Sequence, residues 1–182
     1  MRNSFLFFFI GIILFTSCKH EVKGDNGVTY KSPVEYNDYI VNRQSNLMKK
    51  IMAFGQIAQN DLDSATALLD KYEGETDVMI KELKGMPVYK KDSALRNAAI
   101  RSFTFYKKVF SQDYRELIAI RKEKGDETEE GVAKMNEIVE RITKEEEKLD
   151  KAFHNAQRDF ASKNKMKLID NSMQKQIDNM NE

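Results

Sequence analysis

One cysteine, two prolines, two histidines and no tryptophan stand in a chain of 182 residues. A single cysteine excludes any internal disulfide. Two histidines, His20 and His154, leave too few nitrogen ligands for a zinc site, and Lys151 three residues before His154 excludes the Glu-x-x-His pair of a di-iron bundle. A haem site would have to pair His154 on the last helix with Met48 or Met52 on the first, and no Cys-x-x-Cys-His is present to attach haem covalently. Gly-x-Ser-x-Gly and Gly-x-x-x-x-Gly-Lys are both absent, so neither a hydrolase nucleophile elbow nor a phosphate-cradling loop is expected. No enzymatic constellation emerges, and no cofactor is assigned. Charge of one sign is lacking too. Thirty Lys and Arg against 29 Asp and Glu give a net charge of +1. That balance leaves no basic footprint for nucleic acid.

Few prolines and glycines with 32% charged residues favour long, solvated helices. Stretches alternating with period two are missing, so no sheet is expected. The exception to the polar character is the N-terminus. Arg2 precedes an almost unbroken apolar run from Phe5 to Phe15, followed by small Thr16 and Ser17 and the lone Cys18. This order reads as a secretory signal, too short and wrongly flanked to span a membrane. Residues 1–17 are therefore expected to be removed. Cys18 would otherwise be a free thiol at the end of an ordinary signal peptide. Residues 18–31 are polar, contain Gly24 and Gly27, and read as a flexible tether with a reach of about 20 Å; the alternative is a short ordered arm.

Residues 32–169 carry helical periodicity. Ser32-Pro33-Val34-Glu35 is a start signal: Ser32 can cap, Pro33 sits where a missing N–H costs nothing, and Glu35 can reach back to the cap. Tyr36, Ile40, Leu47, Ile51, Phe54 and Ile57 continue an apolar stripe to about Gln59. A second helix starts at Asn60 or Asp61, is weakened at Gly74 and Thr76, and stops at Gly85 and Pro87. A third, capped by Asp92 or Ser93, turns Leu95, Ala99, Phe103, Tyr106, Phe110, Tyr114, Leu117 and Ile120 inward, with Gly125 at its C′ position. The fourth begins among carboxylates at residues 126–130 and runs to about Met166. Its stripe is Val132, Met135, Val139, Ile142, Leu149, Phe153, Ala156 and Phe160. Residues 170–182 form a polar tail. Four long helices joined by short loops imply an all-α fold, an up-down-up-down four-helix bundle.

Two charged residues interrupt the stripes: Arg43 on the first helix and Glu146 on the fourth. Facing each other as an ion pair they would fix register more than add stability; either could instead snorkel to water. Phe105 and Tyr39 fall just off the stripes of their helices, which makes each either part of a wide core face or the wall of a groove for a partner or an apolar ligand.

Leu14-Phe15-Thr16-Ser17-Cys18 resembles the lipobox of bacterial lipoproteins, with Phe15 departing from the commoner Leu or Val at its position. The resemblance implies cleavage between Ser17 and Cys18, lipid on Cys18, and the membrane as a partner through that lipid. The whole layout is similar to an uncharacterised family of bacterial surface lipoproteins. The likeness is carried by Tyr36-Asn37-Asp38-Tyr39-Ile40 and by Phe153 to Ala161. That family lends no catalytic residues. Lys19 stands where an Asp would resemble an inner-membrane retention signal, which favours the outer membrane, on its periplasmic face or the cell surface. The reading is a lipid-anchored, non-enzymatic binding or scaffold module with a protein partner. The alternative is a carrier or sensor of haem or a small apolar ligand.

Overall fold

A computed structural model describes residues 21–168. The helices are α1 (Pro33–Ala58), α2 (Leu62–Lys84), α3 (Ala94–Lys108), α4 (Tyr114–Lys122) and α5 (Glu129–Lys163). A π-helical turn, Val109–Asp113, joins α3 to α4 without a break, and a 3₁₀ turn, Gly125–Glu127, precedes α5. The fold is all-α, with one exception at its N-terminal end.

That exception corrects the tether expected over residues 18–31. Strands β1 (Val22–Lys23) and β2 (Thr29–Tyr30) pair antiparallel as a small hairpin. Its anchor is Tyr30, 1% exposed, whose ring meets those of Tyr36 and Tyr39 edge-on at 5.2 and 5.3 Å. Asn26 fastens the turn. Its backbone N–H donates to the Gly85 carbonyl at 3.2 Å, and its Nδ2 donates to the hydroxyls of Tyr30 and Tyr39 and to the Glu82 carbonyl. The approach is close enough to require glycine on both sides. A Cβ on Gly24 would lie 2.6 Å from the Gly85 oxygen, and one on Gly85 would lie 2.8 Å from the Asn26 nitrogen. Gly85 is thus kept for room. Its φ is −74°, not the left-handed value expected of a C′ glycine.

Helix starts follow the sequence closely. Ser32 caps α1 by accepting from the Glu35 N–H at 3.1 Å, while the Glu35 carboxylate reaches one residue further back, to the Lys31 N–H at 2.8 Å. Asp61 caps α2 by accepting from Asp63 and Ser64. Thr128 caps α5 by accepting from Gly131. At the third helix Ser93 forms no side-chain cap, and Asp92 accepts from the Ala94 N–H instead. Gly74 does not interrupt α2, because Tyr72, Thr76, Met79 and Ile80 around it are all buried.

Two stripes are rephased. The π turn inserts backbone into the third helical rod, so Ile118 is buried where Leu117 and Ile120 were expected, and these two are half-buried. On α5, Val132 and Val139 are 42% and 49% exposed, and Ile138 at 2% takes the inward position. A straight helix with 3.6 residues per turn drifts off a strict three–four spacing, so the first turns of α5 present a neighbouring face.

The interhelical ion pairs run in opposite numerical order. Arg43 and Lys50 on α1 meet Glu82 and Glu75 on α2. Asp63, Asp70 and Asp77 on α2 meet Lys122, Arg115 and Lys107. Asp92 and Asp113 meet Lys163 and Arg141 of α5. Around one end, Tyr36, Tyr89 and Phe160 close an aromatic core.

Candidate functional site

Helices α3 and α5 lie side by side, and their contact opens outward as a groove of about 850 Å³. Thr104, Phe105 and Lys108 line it from α3, and Ile142, Glu145 and Lys148 line it from α5. Phe105 is half-buried, its ring edge-on to Tyr106 at 5.2 Å, so the groove has an apolar floor. Its rim is charged and largely self-paired. Lys144 meets Glu140 at 2.6 Å and Lys148 meets Glu145 at 3.2 Å. Lys108 forms no ion pair among the described residues. At one end the π turn presents Asp113, whose side chain is 5% exposed and accepts from Arg141 at 2.7 Å. A π turn inside a longer helix often marks a functional position, because it re-aims side chains that an unbroken helix would stagger.

Behind the groove the same two helices hold an interior polar cluster. The Tyr106 hydroxyl donates to the Glu146 carboxylate. Burial pushes the Tyr106 hydroxyl far up, and the adjacent carboxylate adds to the effect. Tyr114, whose ring stacks on Phe54 at 4.4 Å, is pushed up to about 12 by burial and then by Glu146. One turn along α5, Asp150 is raised above the ordinary carboxylate range by burial and then by the Glu146 charge, against a smaller opposing pull from His154.

The sign for stability follows from that direction. The folded chain holds the Asp150 proton more tightly than the unfolded chain does. Its contribution is therefore fully present below the unfolded pKa and is lost as pH rises through the folded pKa. Asp150→Asn keeps the side chain neutral at all pH. The variant should melt higher than the natural chain at pH 7, and the gain should vanish towards pH 3. Thermal melts of both chains at the two pH values check this; an equal difference at both would refute it.

The expected Arg43–Glu146 pair does not form. Arg43 lies over the Tyr39 ring at 3.3 Å, donates through Nε to Glu82 at 2.8 Å and through Nη1 to the Tyr39 carbonyl at 3.2 Å. Glu146 takes Tyr106 instead. The reason is register. Tyr36 stacks on Phe160, and the Gln157 amide donates to Asn37 at 2.9 Å. At that level Arg43 and Glu146 are offset by about two helical turns, roughly 10 Å. His154 is exposed, with its ring edge on Phe153 at 6.1 Å, while Met48 and Met52 are half-buried on α1. Ser17 and Cys18 lie outside the described residues, as does the 170–182 tail. Tyr39 belongs to the hairpin's aromatic contact, and Phe105 lines the groove as an off-stripe residue could. The π turn and its Asp113 were not foreseen. The only trace in the sequence is that both Phe110 and Tyr114 lie on the apolar stripe with an acid between them.

Among the described residues no group of three or more His, Cys, Asp or Glu is placed to hold a metal ion, and no helix is long and apolar enough to cross a membrane. No protein-family model, curated protein or solved structure matches the chain.

Proposed function

We propose that this chain is a lipid-anchored, non-enzymatic binding module of the bacterial cell envelope. Its helices stand as an up-down-up-down four-helix bundle that presents the α3–α5 groove to a protein partner. The observation that carries the anchor is the order of Arg2, the apolar run, Thr16-Ser17 and the lone Cys18. The opposed numbering of the ion pairs supports the bundle. An apolar floor of Phe105 and Ile142 inside a charged rim suits a partner surface of the same make-up, since burial of the floor supplies the affinity and the rim the specificity.

The test is metabolic labelling with an alkyne fatty acid in a bacterial host, with an epitope tag after Glu182. The natural chain should take up label and fractionate with the outer membrane, and Cys18→Ala should remain unlabelled and uncut. Equal labelling of the two would refute the anchor. Protease shaving of intact cells then assigns the side: loss of the tag places the bundle on the cell surface, and protection until the outer membrane is opened places it in the periplasm.

A further inference from the structure

The ordered hairpin shortens the leash between Cys18 and the helical domain. Glu21 is the third residue after Cys18, so at most about 10 Å of extended chain separates them. Whatever Cys18 is fixed to therefore lies close to the end of the molecule that carries the hairpin. The same end gathers the α2–α3 loop and the C-terminus of α5. Gly85 accepts from Asn26 of the hairpin, the Tyr36 hydroxyl donates to Pro87 at 2.9 Å, Tyr89 packs on Phe160 at 5.5 Å, and Lys163 pairs with Asp92 at 2.7 Å.

Positive charge is in excess there. Lys84, Lys90, Lys91, Lys165 and Lys167 are all exposed and form no ion pair among the described residues. The nearby Asp92 is already taken by Lys163. Glu21 and Asp25 offset Lys23 and Lys31 on the hairpin, and Glu35 and Asp38 at the start of α1 and Asp159 near the end of α5 are also exposed at this end, so the excess positive charge is confined to the loop and the last residues after α5. Exposed apolar side chains lie among these lysines: Val88 at 44% and Leu168 at 36%.

A second observation is independent of the count. Lys90 and Lys91 have φ of 48° and 66° and are the two central residues of a turn closed by the Asp92 N–H donating to the Tyr89 carbonyl at 2.8 Å. Positive φ at both central positions is the pattern that normally selects Asn-Gly, because a Cβ is strained there. Lys165, at φ 54°, occupies the left-handed position that ends α5, with its own N–H donating to Ser162 and the Met166 N–H donating to Ala161, where glycine is usual. Three of these five lysines thus sit where lysine is conformationally disfavoured, as Lys124 does singly at the opposite end. Lys90 also lies over the Tyr89 ring at 5.7 Å, which leaves its charge at the surface of the turn.

We infer that this end of the molecule is a docking surface for an anionic lipid bilayer, with the lysines over the headgroups and Val88 and Leu168 at the interface. It orients the long axis of the helices away from the membrane and leaves the α3–α5 groove clear of it. The inference rests on the Cys18 anchor proposed above for its proximity to lipid, and on charge complementarity for its specificity.

The experiment uses the full chain, matured in a bacterial envelope, purified in detergent and reconstituted into vesicles of phosphatidylcholine alone or with phosphatidylglycerol. Each lysine's rate of acylation by an amine-reactive ester is read by mass spectrometry. Lys90, Lys91 and Lys165 should react several-fold more slowly in the anionic vesicles than in the neutral ones, and Lys124 at the opposite end should react equally in both. Salt at ~1 M, where the screening length falls to ~3 Å, should remove the difference. Equal rates in both vesicles overturn the inference. Lys90→Asn with Lys91→Gly suits the turn's backbone and preserves the fold while removing two charges. It should weaken the anionic-vesicle protection of Lys165, and undiminished protection would overturn the assignment of the turn. Failure of the anchor itself is seen separately, in the mass of the Cys18 peptide. A chain without lipid should still float with the anionic vesicles and not with the neutral ones, and flotation with neither overturns the docking surface.

Discussion

Phe160→Ala should lower the free energy of unfolding by about 3–5 kcal/mol, the range for removing a buried phenylalanine into a core that cannot collapse around the gap. Phe160 is 1% exposed and is held by two rings, Tyr36 stacked at 5.4 Å and Tyr89 edge-on at 5.5 Å. Those two tyrosines are themselves fixed from behind: Tyr36 donates to Pro87, burial pushes its hydroxyl up to about 12, and Tyr89 opens the turn that closes on Asp92. Neither ring is free to fill the space. The same measurement on Val139→Ala supplies the contrast. Val139 is 49% exposed on the same helix, and its truncation should change stability by no more than about 0.5 kcal/mol. Chemical denaturation of the two variants reads the register of α5 directly. Comparable losses would mean that Val139 is inward and that the phase of α5 differs from the one described.

Asn26→Ala should cost about 2–3 kcal/mol and release the hairpin. One side-chain nitrogen serves three acceptors, the hydroxyls of Tyr30 and Tyr39 and the Glu82 carbonyl, at 2.7, 3.3 and 3.2 Å. Its Oδ1 also accepts from the Val28 N–H at 3.1 Å, which shapes the turn. Tyr30 is buried, so its oxygen cannot recover the lost donor from water although its hydroxyl keeps Tyr39 as a partner, and each bond lost costs about 0.5–1.5 kcal/mol. Tyr39 is partly exposed and regains water. Hydrogen exchange should show the amides of Gly24 and Tyr30 losing protection well before those of α2. A double-mutant cycle isolates the contact: with Tyr30→Phe already in place, Asn26→Ala should cost clearly less, because the hydroxyl that Asn26 serves is gone. An unchanged cost would place the effect in the turn's backbone and not in the tyrosine bond.

Both predictions concern the end of the molecule where sequence reasoning and structure part company. Helix existence was legible because it is local. Pro33 after Ser32, Asp61 before an apolar stripe, and Gly85-Met86-Pro87 after one each act over a single turn, and each lies where the structure starts or stops a helix. The buried face of α1 was legible for the same reason. The hairpin was not. Two residues per strand are too few to alternate, and Gly24 and Gly27 in a polar stretch look the same whether the chain is loose or pressed against a neighbour. What holds Val22–Tyr30 in place is Gly85 and Tyr39, far away in sequence.

The candidate groove was half legible. Phe105, one position off the stripe set by Phe103 and Tyr106, could be read as part of a wide core face or as the wall of a groove, and only its packing decides between them. Its opposite wall depends on how α5 is rotated, and that rotation is set by Phe153, Phe160 and Ala161 packing at the other end. The π turn that brings Asp113 to Arg141 leaves no mark on composition, since a one-residue change in hydrogen-bond step needs no special side chain.

By itself the sequence determined the helical content, most of the caps and most of the inward residues, because each depends on neighbours within a turn or within one short segment. Tertiary structure alone decided the partners of Arg43 and Glu146, the phase of α5, the folding of residues 22–30 onto the domain, and the gathering of Lys84, Lys90, Lys91, Lys165 and Lys167 at one end. These depend on the level at which separate helices meet. That level is fixed by contacts such as Tyr36 on Phe160 and Gln157 on Asn37, between residues more than a hundred positions apart, whose interaction no local pattern encodes.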